Sequence, residues 1–161
     1  MVGAAIHVQE SEDQITAISG GGLQNTLTVL TIDASAEFGG ANVYGALVYA
    51  NADTNGTPPA SDFGKNPWGF EVGGGYYLTE DWELFGRYEF ADLDGGALIS
   101  DLNVISFGVN KYFAGQNAKW TTDFGFGIDQ LPRSIAVTGW RVDNTNEDGQ
   151  FVFRSQFQLM F

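Results

Sequence analysis

Several residue types are scarce in this sequence of 161 residues, which contains no cysteine and a single histidine. The lack of cysteine excludes disulfides and thiolate metal sites. Nothing in the sequence places a Ser-His-Asp triad around His7, so we interpret His7 as structural and expect no enzymatic activity. No apolar run reaches the roughly 18 residues that a membrane-spanning helix needs. A helical membrane protein is therefore excluded.

Basic residues are also scarce, with 7 Lys and Arg against 20 Asp and Glu and a net charge of −13. Proteins that bind nucleic acids normally carry a basic surface, because the phosphate backbone supplies most of their affinity. We therefore expect no nucleic-acid partner. No motif for a cofactor is present, and none is predicted.

Glycine and aromatic residues are abundant, with 22 Gly, 13 Phe, 6 Tyr and 4 Trp. This composition favours short strands and tight turns over helices, and it predicts an all-β fold. Turn residues divide the chain into eight strand-like segments. The segments are "VGAAIHVQ", "TLTVLTIDASAEF", "NVYGALVYA", "WGFEVGGGYYL", "WELFGRYEF", "LNVISFGVNKYF", "AKWTTDFGFGID" and "QFVFRSQFQLMF".

The connections between these segments alternate in length. Those after the second, fourth and sixth segments are short ("GGA", "TED" and "AGQN"), and the others are longer and rich in Gly, Asn, Asp and Pro. Short turns at one end and long loops at the other predict an antiparallel up-and-down meander forming one domain over residues 1–161.

Each segment has one apolar and one polar parity. In the fifth segment Trp82 and Leu84 share one side, Glu83 and Arg87 share the other, and Phe85 is an exception. A soluble sandwich or a lipocalin-like barrel would show the same alternation with its apolar face inward. The alternative is a transmembrane β-barrel, whose apolar face contacts lipid.

Three observations favour the transmembrane barrel. The long loops lie at one end, glycine is concentrated on the polar face, and aromatic residues gather near strand ends, as in interfacial girdles. We therefore predict a barrel in the bacterial outer membrane, in contact with lipid. The predicted girdle residues are Trp68, Tyr76, Trp82, Tyr88, Phe90, Phe113 and Trp120.

The last strand ends on a bare aromatic residue. Phe157, Leu159 and Phe161 share one parity, although Ser155 interrupts it upstream. This ending resembles the carboxy-terminal signature of bacterial outer-membrane proteins. The resemblance implies that the barrel assembly machinery recognises the terminal strand through these three residues.

Three segments are similar to the closing strands of the phosphate-selective porin O and P family: "ELFGRYEFADLDG", "ISFGVNKYFAGQNAKWTTDFGFGIDQLP" and "EDGQFVFRSQFQLMF". Members of that family usually form sixteen-stranded barrels assembled as trimers. The resemblance implies a carboxy-terminal porin half, a homotrimer and passive diffusion of ions and small hydrophilic solutes. The alternative is a closed eight-stranded barrel that serves structure or adhesion and conducts little, because side chains fill so narrow a lumen.

Charged residues of the polar parity are predicted to line the lumen. Six are acidic and three are basic, which predicts a weak cation preference, and not phosphate selectivity, for a pore lined by this chain alone. Pairing with neighbouring carboxylates is the alternative role for the three cations. The predicted pore-lining residues are Asp33, Glu37, Glu71, Glu83, Arg87, Glu89, Lys119, Asp123 and Arg154.

The segment "NADTNGTPPASD", residues 51–62, matches part of a calcium-binding loop, with Gly56 at the sixth position and Asp62 at the twelfth. Strand-like segments flank it where an EF-hand has helices. We therefore favour a hydrated Asn/Gly/Pro loop and predict no metal site.

Overall fold

The computed structural model describes residues 1–11, 25–54, 66–93, 101–129, 131, 140 and 149–160. It confirms an all-β fold of eight strands. Among the described residues, no helix is long and apolar enough to cross a membrane. The strands are β1 (Val2–Ser11), β2 (Asn25–Phe38), β3 (Ala41–Thr54), β4 (Trp68–Tyr77), β5 (Trp82–Asp92), β6 (Leu102–Tyr112), β7 (Ala118–Gly127) and β8 (Phe151–Leu159).

The strands form one sheet in the order β1 to β8, and every neighbouring pair is antiparallel. The predicted up-and-down meander is thus confirmed. We call the end with the connections 39–40, 78–81 and 113–117 the turn end, and the opposite end the loop end. In the described part of the chain, β1 pairs only with β2 and β8 only with β7, so no β1–β8 ladder closes the sheet.

The turns account for the tight connections. Gly39 and Gly40 both have positive φ, 55° and 82°, which two-residue hairpin turns of the type I′ class require and which glycine adopts without strain. In the next turn, the Thr79 hydroxyl accepts hydrogen bonds from the backbone N–H groups of Asp81 and Trp82 at 3.3 and 3.2 Å. These turns fix the register of β2 with β3 and of β4 with β5.

β3 is longer than the sequence predicts: the strand-like segment ends at Ala50, whereas β3 continues to Thr54. The segment considered as a calcium loop therefore begins inside a strand, which corrects its predicted start at Asn51. The Asn51 amide donates a hydrogen bond to the Asn66 side chain at 2.7 Å. Residues 55–62 of that segment, including Gly56 and Asp62, lie outside the described residues.

The register separates two faces of the sheet. Phe107 of β6 pairs with Phe124 of β7, which pairs with Phe153 of β8, so apolar side chains lie side by side across the strands. The buried side chains of the strands all belong to the opposite face, which we call the inner face. The outer face is the apolar one, and Phe107 there has 56% of its surface exposed.

Glycines on the inner face make room for large side chains. Tyr44 lies across Gly73, Phe85 across Gly108, and Trp140 lies against Gly125. A Cβ atom at Gly108 would stand 2.7 Å from the Phe85 ring and would also collide with the Thr122 carbonyl oxygen. The exceptional parity of Phe85 is therefore accommodated by the glycine opposite it.

We expect Gly108→Ala to destabilise the protein by about 1–3 kcal/mol, because a backbone carbonyl cannot yield to the added methyl group. Gly86→Ala is the matched control on the adjacent strand, since the nearest atom to its Cβ would be 3.8 Å away. Equilibrium unfolding in urea measures both effects. Equal stability of the two variants would contradict the packing described around Gly108.

Candidate functional site on the inner face

The structure places all nine predicted pore-lining residues on the inner face of the sheet. The alternation of the sequence therefore grouped them on one face, and their role in lining a pore stays a prediction. They do not form one cluster. Instead they form a hydrogen-bonded group at the turn end, two ion pairs near the middle of the strands, and separate charges elsewhere.

Glu83 is the centre of the turn-end group and is 6% exposed. Its carboxylate accepts hydrogen bonds from Asn42 and Asn110 at 2.8 Å each, and from the Tyr112 hydroxyl at 2.5 Å. Thr121 donates to Asn110 at 2.7 Å and extends the network to β7. These donors satisfy a carboxylate that burial alone would penalise, so the group joins β3, β5, β6 and β7.

Two ion pairs occupy the middle of the inner face. Arg154 of β8 donates from Nε to Asp123 of β7 at 3.0 and 3.2 Å, and its terminal nitrogen makes a further contact with the same carboxylate. Arg87 and Glu89 both belong to β5, and the Nε atom of Arg87 is 3.2 Å from Oε2 of Glu89. Two of the three predicted lumen cations are thus paired with carboxylates.

The remaining charges are less constrained. Lys119 lies over the Tyr112 ring, with its nitrogen 5.9 Å from the ring centroid. Asp33 and Glu37 are exposed on β2. Within the described ranges, no ion pair to Asp33, Glu37 or Glu71 occurs. Three carboxylates therefore contribute uncompensated negative charge to this face.

The predicted girdle residues all have the outer-face parity and form two bands. Trp68, Tyr88 and Phe90 lie toward the loop end, where the rings of Trp68 and Phe90 are 5.2 Å apart. Tyr88 donates a hydrogen bond to Asn103 at 2.6 Å. The second band, at the turn end, comprises Tyr76, Trp82, Phe113 and Trp120.

A lysine accompanies the turn-end band. Lys111 lies over the Trp82 ring at 5.0 Å and contacts the Asp81 carboxylate at 2.9 Å. The rings of Trp82 and Trp120 meet edge to face at 6.4 Å. An apolar body with a polar tip is the arrangement that such side chains adopt at a membrane interface.

Part of the inner face is apolar, which the sequence interpretation missed. At the loop end, Leu131 and Trp140 pack with Val104, all three being buried, and Leu102 and Val152 surround them. Leu131 and Trp140 lie outside the strands. The signal available in the sequence was a few apolar residues, such as Val104, near strand ends at positions where the alternation predicts polar side chains.

The terminal strand places Phe157 and Leu159 on the outer face. Phe157 contacts the Phe113 ring at 5.8 Å, and Leu159 pairs with Ala118. Phe161, the third predicted assembly residue, lies outside the described residues. Recognition of these three residues by the assembly machinery stays a prediction.

Comparison with known proteins gives one structural similarity. No protein-family model and no curated protein matches the sequence. The fold is similar to the solved structure of "Outer-membrane expressed OmpT of Vibrio cholerae", with a TM-score of 0.56 and 16% identity. The similarity covers 93% of this chain and 50% of that one. The chain therefore has the fold of an outer-membrane protein and spans half of that protein's length.

Proposed function

We propose that these strands form part of the wall of an outer-membrane β-barrel whose inner face lines a water-filled path. Ions and small hydrophilic solutes would cross it by passive diffusion. The observation that carries this proposal is the separation of the two faces: every predicted pore-lining charge lies on the inner face, while apolar side chains cover the outer face. The fold shared with an outer-membrane protein supports the same conclusion.

A soluble sandwich would need the outer face to be covered by a second layer. No second sheet occurs among the described residues, and the exposed outer face carries aromatic bands toward both ends of the strands. Lipid satisfies such a surface without further protein. Because no β1–β8 ladder occurs among the described residues, the structure gives no support to the alternative of a closed eight-stranded barrel with little conductance.

Assembly and chemistry follow from the same proposal. A homotrimer, recognition by the assembly machinery and kinship with phosphate-selective porins remain proposals based on the sequence resemblance. We expect passive transport without catalysis. In the described part of the chain, no group of three or more His, Cys, Asp or Glu side chains is arranged to hold a metal ion.

The lack of native cysteine permits a direct test with single cysteines. Ser155 and Gln156 are adjacent in β8 but point to opposite faces. In a planar bilayer, a charged methanethiosulfonate reagent should react with Gln156→Cys and change the conductance, because a thiol in water ionises. Ser155→Cys should remain unmodified in lipid. Equal modification of both cysteines, or a parent that does not conduct, would contradict the proposal.

Ion selectivity is a second expected result. Asp33, Glu37 and Glu71, which have no ion pair among the described residues, should give a weak preference for cations. This preference should fall in about 1 M salt, because the Debye length shrinks to roughly 3 Å. A reversal potential under a potassium chloride gradient measures it. Glu71→Gln should reduce the preference, whereas Glu80→Gln in a turn should not. If the parent instead prefers anions and Arg87→Gln loses that preference, the result would contradict the expected cation preference and support phosphate selectivity.

A further inference from the structure

The loop end of the inner face contains a cavity of about 650 Å³. Its volume is within the range of small-molecule sites, which is about 300–1,000 Å³. The walls are mostly apolar, and residues of five neighbouring strands, β2 to β6, contribute to them. These wall residues include Leu27, Val29, Val48, Ala50, Ala91 and Leu102.

Among the described residues that line this cavity, the charged ones are Glu71 and Glu89. They are direct register partners on β4 and β5, so both carboxylates belong to the same side of the sheet. In the register they lie one inward-facing pair nearer the middle of the strands than Gly69 and Ala91. The cavity therefore combines apolar walls toward the loop end with two carboxylates toward the middle of the strands, which we call the acidic floor.

The described residues do not balance the charge of this floor. Among them, Arg87 is the cation next to the two carboxylates in the register, and its Nε atom is paired with Glu89 at 3.2 Å. Glu71 has no ion pair in the described part of the chain, so its negative charge faces the cavity without a counterion from the described residues. A bound cation would relieve the repulsion between the two neighbouring carboxylates.

We propose that this cavity binds small organic cations that carry an apolar body, such as arylalkyl ammonium compounds. The ammonium group would contact Glu71 and Glu89, and the body would cover the apolar walls and release the water there. An inorganic cation should bind more weakly, because it would not displace water from the apolar walls. An anion with an apolar body should also bind more weakly, because the two carboxylates would repel it. Binding to this cavity does not require that the protein conduct ions, so it can be tested separately from the proposed channel function.

Three matched probes test this site on the full chain in phosphatidylcholine nanodiscs. Isothermal titration calorimetry would compare 4-phenylbutylammonium, 4-phenylbutyrate, which has the opposite charge, and ethylammonium, which lacks the aryl body. Empty nanodiscs supply the blank for partition into lipid. We expect saturable binding of 4-phenylbutylammonium, at least about tenfold tighter than that of either other probe.

Two variants and a control locate the binding. Glu71→Gln combined with Glu89→Gln should weaken 4-phenylbutylammonium binding by about tenfold or more, and Ala50→Trp should abolish it by filling the cavity. Glu80→Gln, which removes a charge in a turn, should bind like the parent. Near-ultraviolet circular dichroism checks that each variant is folded.

Other results would overturn the proposal. Equal binding of 4-phenylbutylammonium and 4-phenylbutyrate by the parent would show that charge plays no part. Unchanged affinity in the double glutamine variant would place the cation elsewhere. A parent that binds none of the probes would show that the cavity is not a ligand site. The comparison of probes on the parent needs no variant, so a variant that fails to fold leaves the test intact.

Discussion

Replacing Phe107 with arginine should lower the free energy of unfolding by about 2–4 kcal/mol more than replacing it with alanine. Phe107 lies at the centre of β6 on the outer face and is 56% exposed. If lipid covers this face, the arginine must hold a charge near the middle of the bilayer. If water covers it, a charged side chain there costs almost nothing. Urea unfolding of the protein in lipid vesicles distinguishes the two cases.

Phe107→Ala is the necessary reference, because it removes the same ring contact with Phe124, at a centroid distance of 5.4 Å, without adding charge. Gln156→Arg supplies the second control, since it adds the same side chain to the inner face. We expect it to be within about 0.5 kcal/mol of the parent. If Phe107→Arg were as stable as Phe107→Ala, the outer face would not contact lipid.

The side on which each strand residue lies was predictable from the sequence, because side chains of a strand alternate with a period of two. Arg87 and Asp123 illustrate this: both were assigned to the polar parity, and both lie on the inner face. The alternation of apolar and polar residues predicts the face of each residue because the two faces of the sheet have different surroundings along the whole strand. It requires no knowledge of which strands are neighbours.

The partners of these residues were not predictable in the same way. Glu83 receives hydrogen bonds from Asn42, Asn110 and Tyr112, which come from two other strands. The register that brings them together depends on the turns and on contacts along each pair of strands. A single sequence gives the parity of each donor but leaves its position along the neighbouring strand open.

The apolar region at the loop end was missed for a different reason. Leu131 and Trp140 belong to the connection between β7 and β8, and they bury against Gly127 and Gly125 on the inner face. Periodicity describes strands and is silent on where a long connection packs. Val104 is an apolar residue on the inner face that packs in this region. In the sequence alone, such a residue cannot be distinguished from an ordinary exception to the alternation.

The pair formed by Asp123 and Arg154 should contribute measurably to stability. Asp123 is 9% exposed, and Arg154 contacts both of its carboxylate oxygens. Breaking a fully buried pair costs about 3–5 kcal/mol. We expect about 2–3 kcal/mol for Asp123→Asn, because the arginine is partly exposed and water can solvate it once the carboxylate is gone.

A double-mutant cycle that combines Asp123→Asn with Arg154→Gln isolates this interaction from the other contacts of the arginine. Each single variant already loses the ion pair, so the second substitution removes no further part of it. The double variant should therefore be more stable than the sum of the single effects indicates, with a coupling energy of about 1–2 kcal/mol in urea unfolding. Salt should reduce this energy only slightly, because a pair that is mostly buried is poorly screened. A coupling below about 0.5 kcal/mol that disappears in salt would instead identify an exposed pair in open water, and it would contradict the role of these two residues in joining β7 to β8.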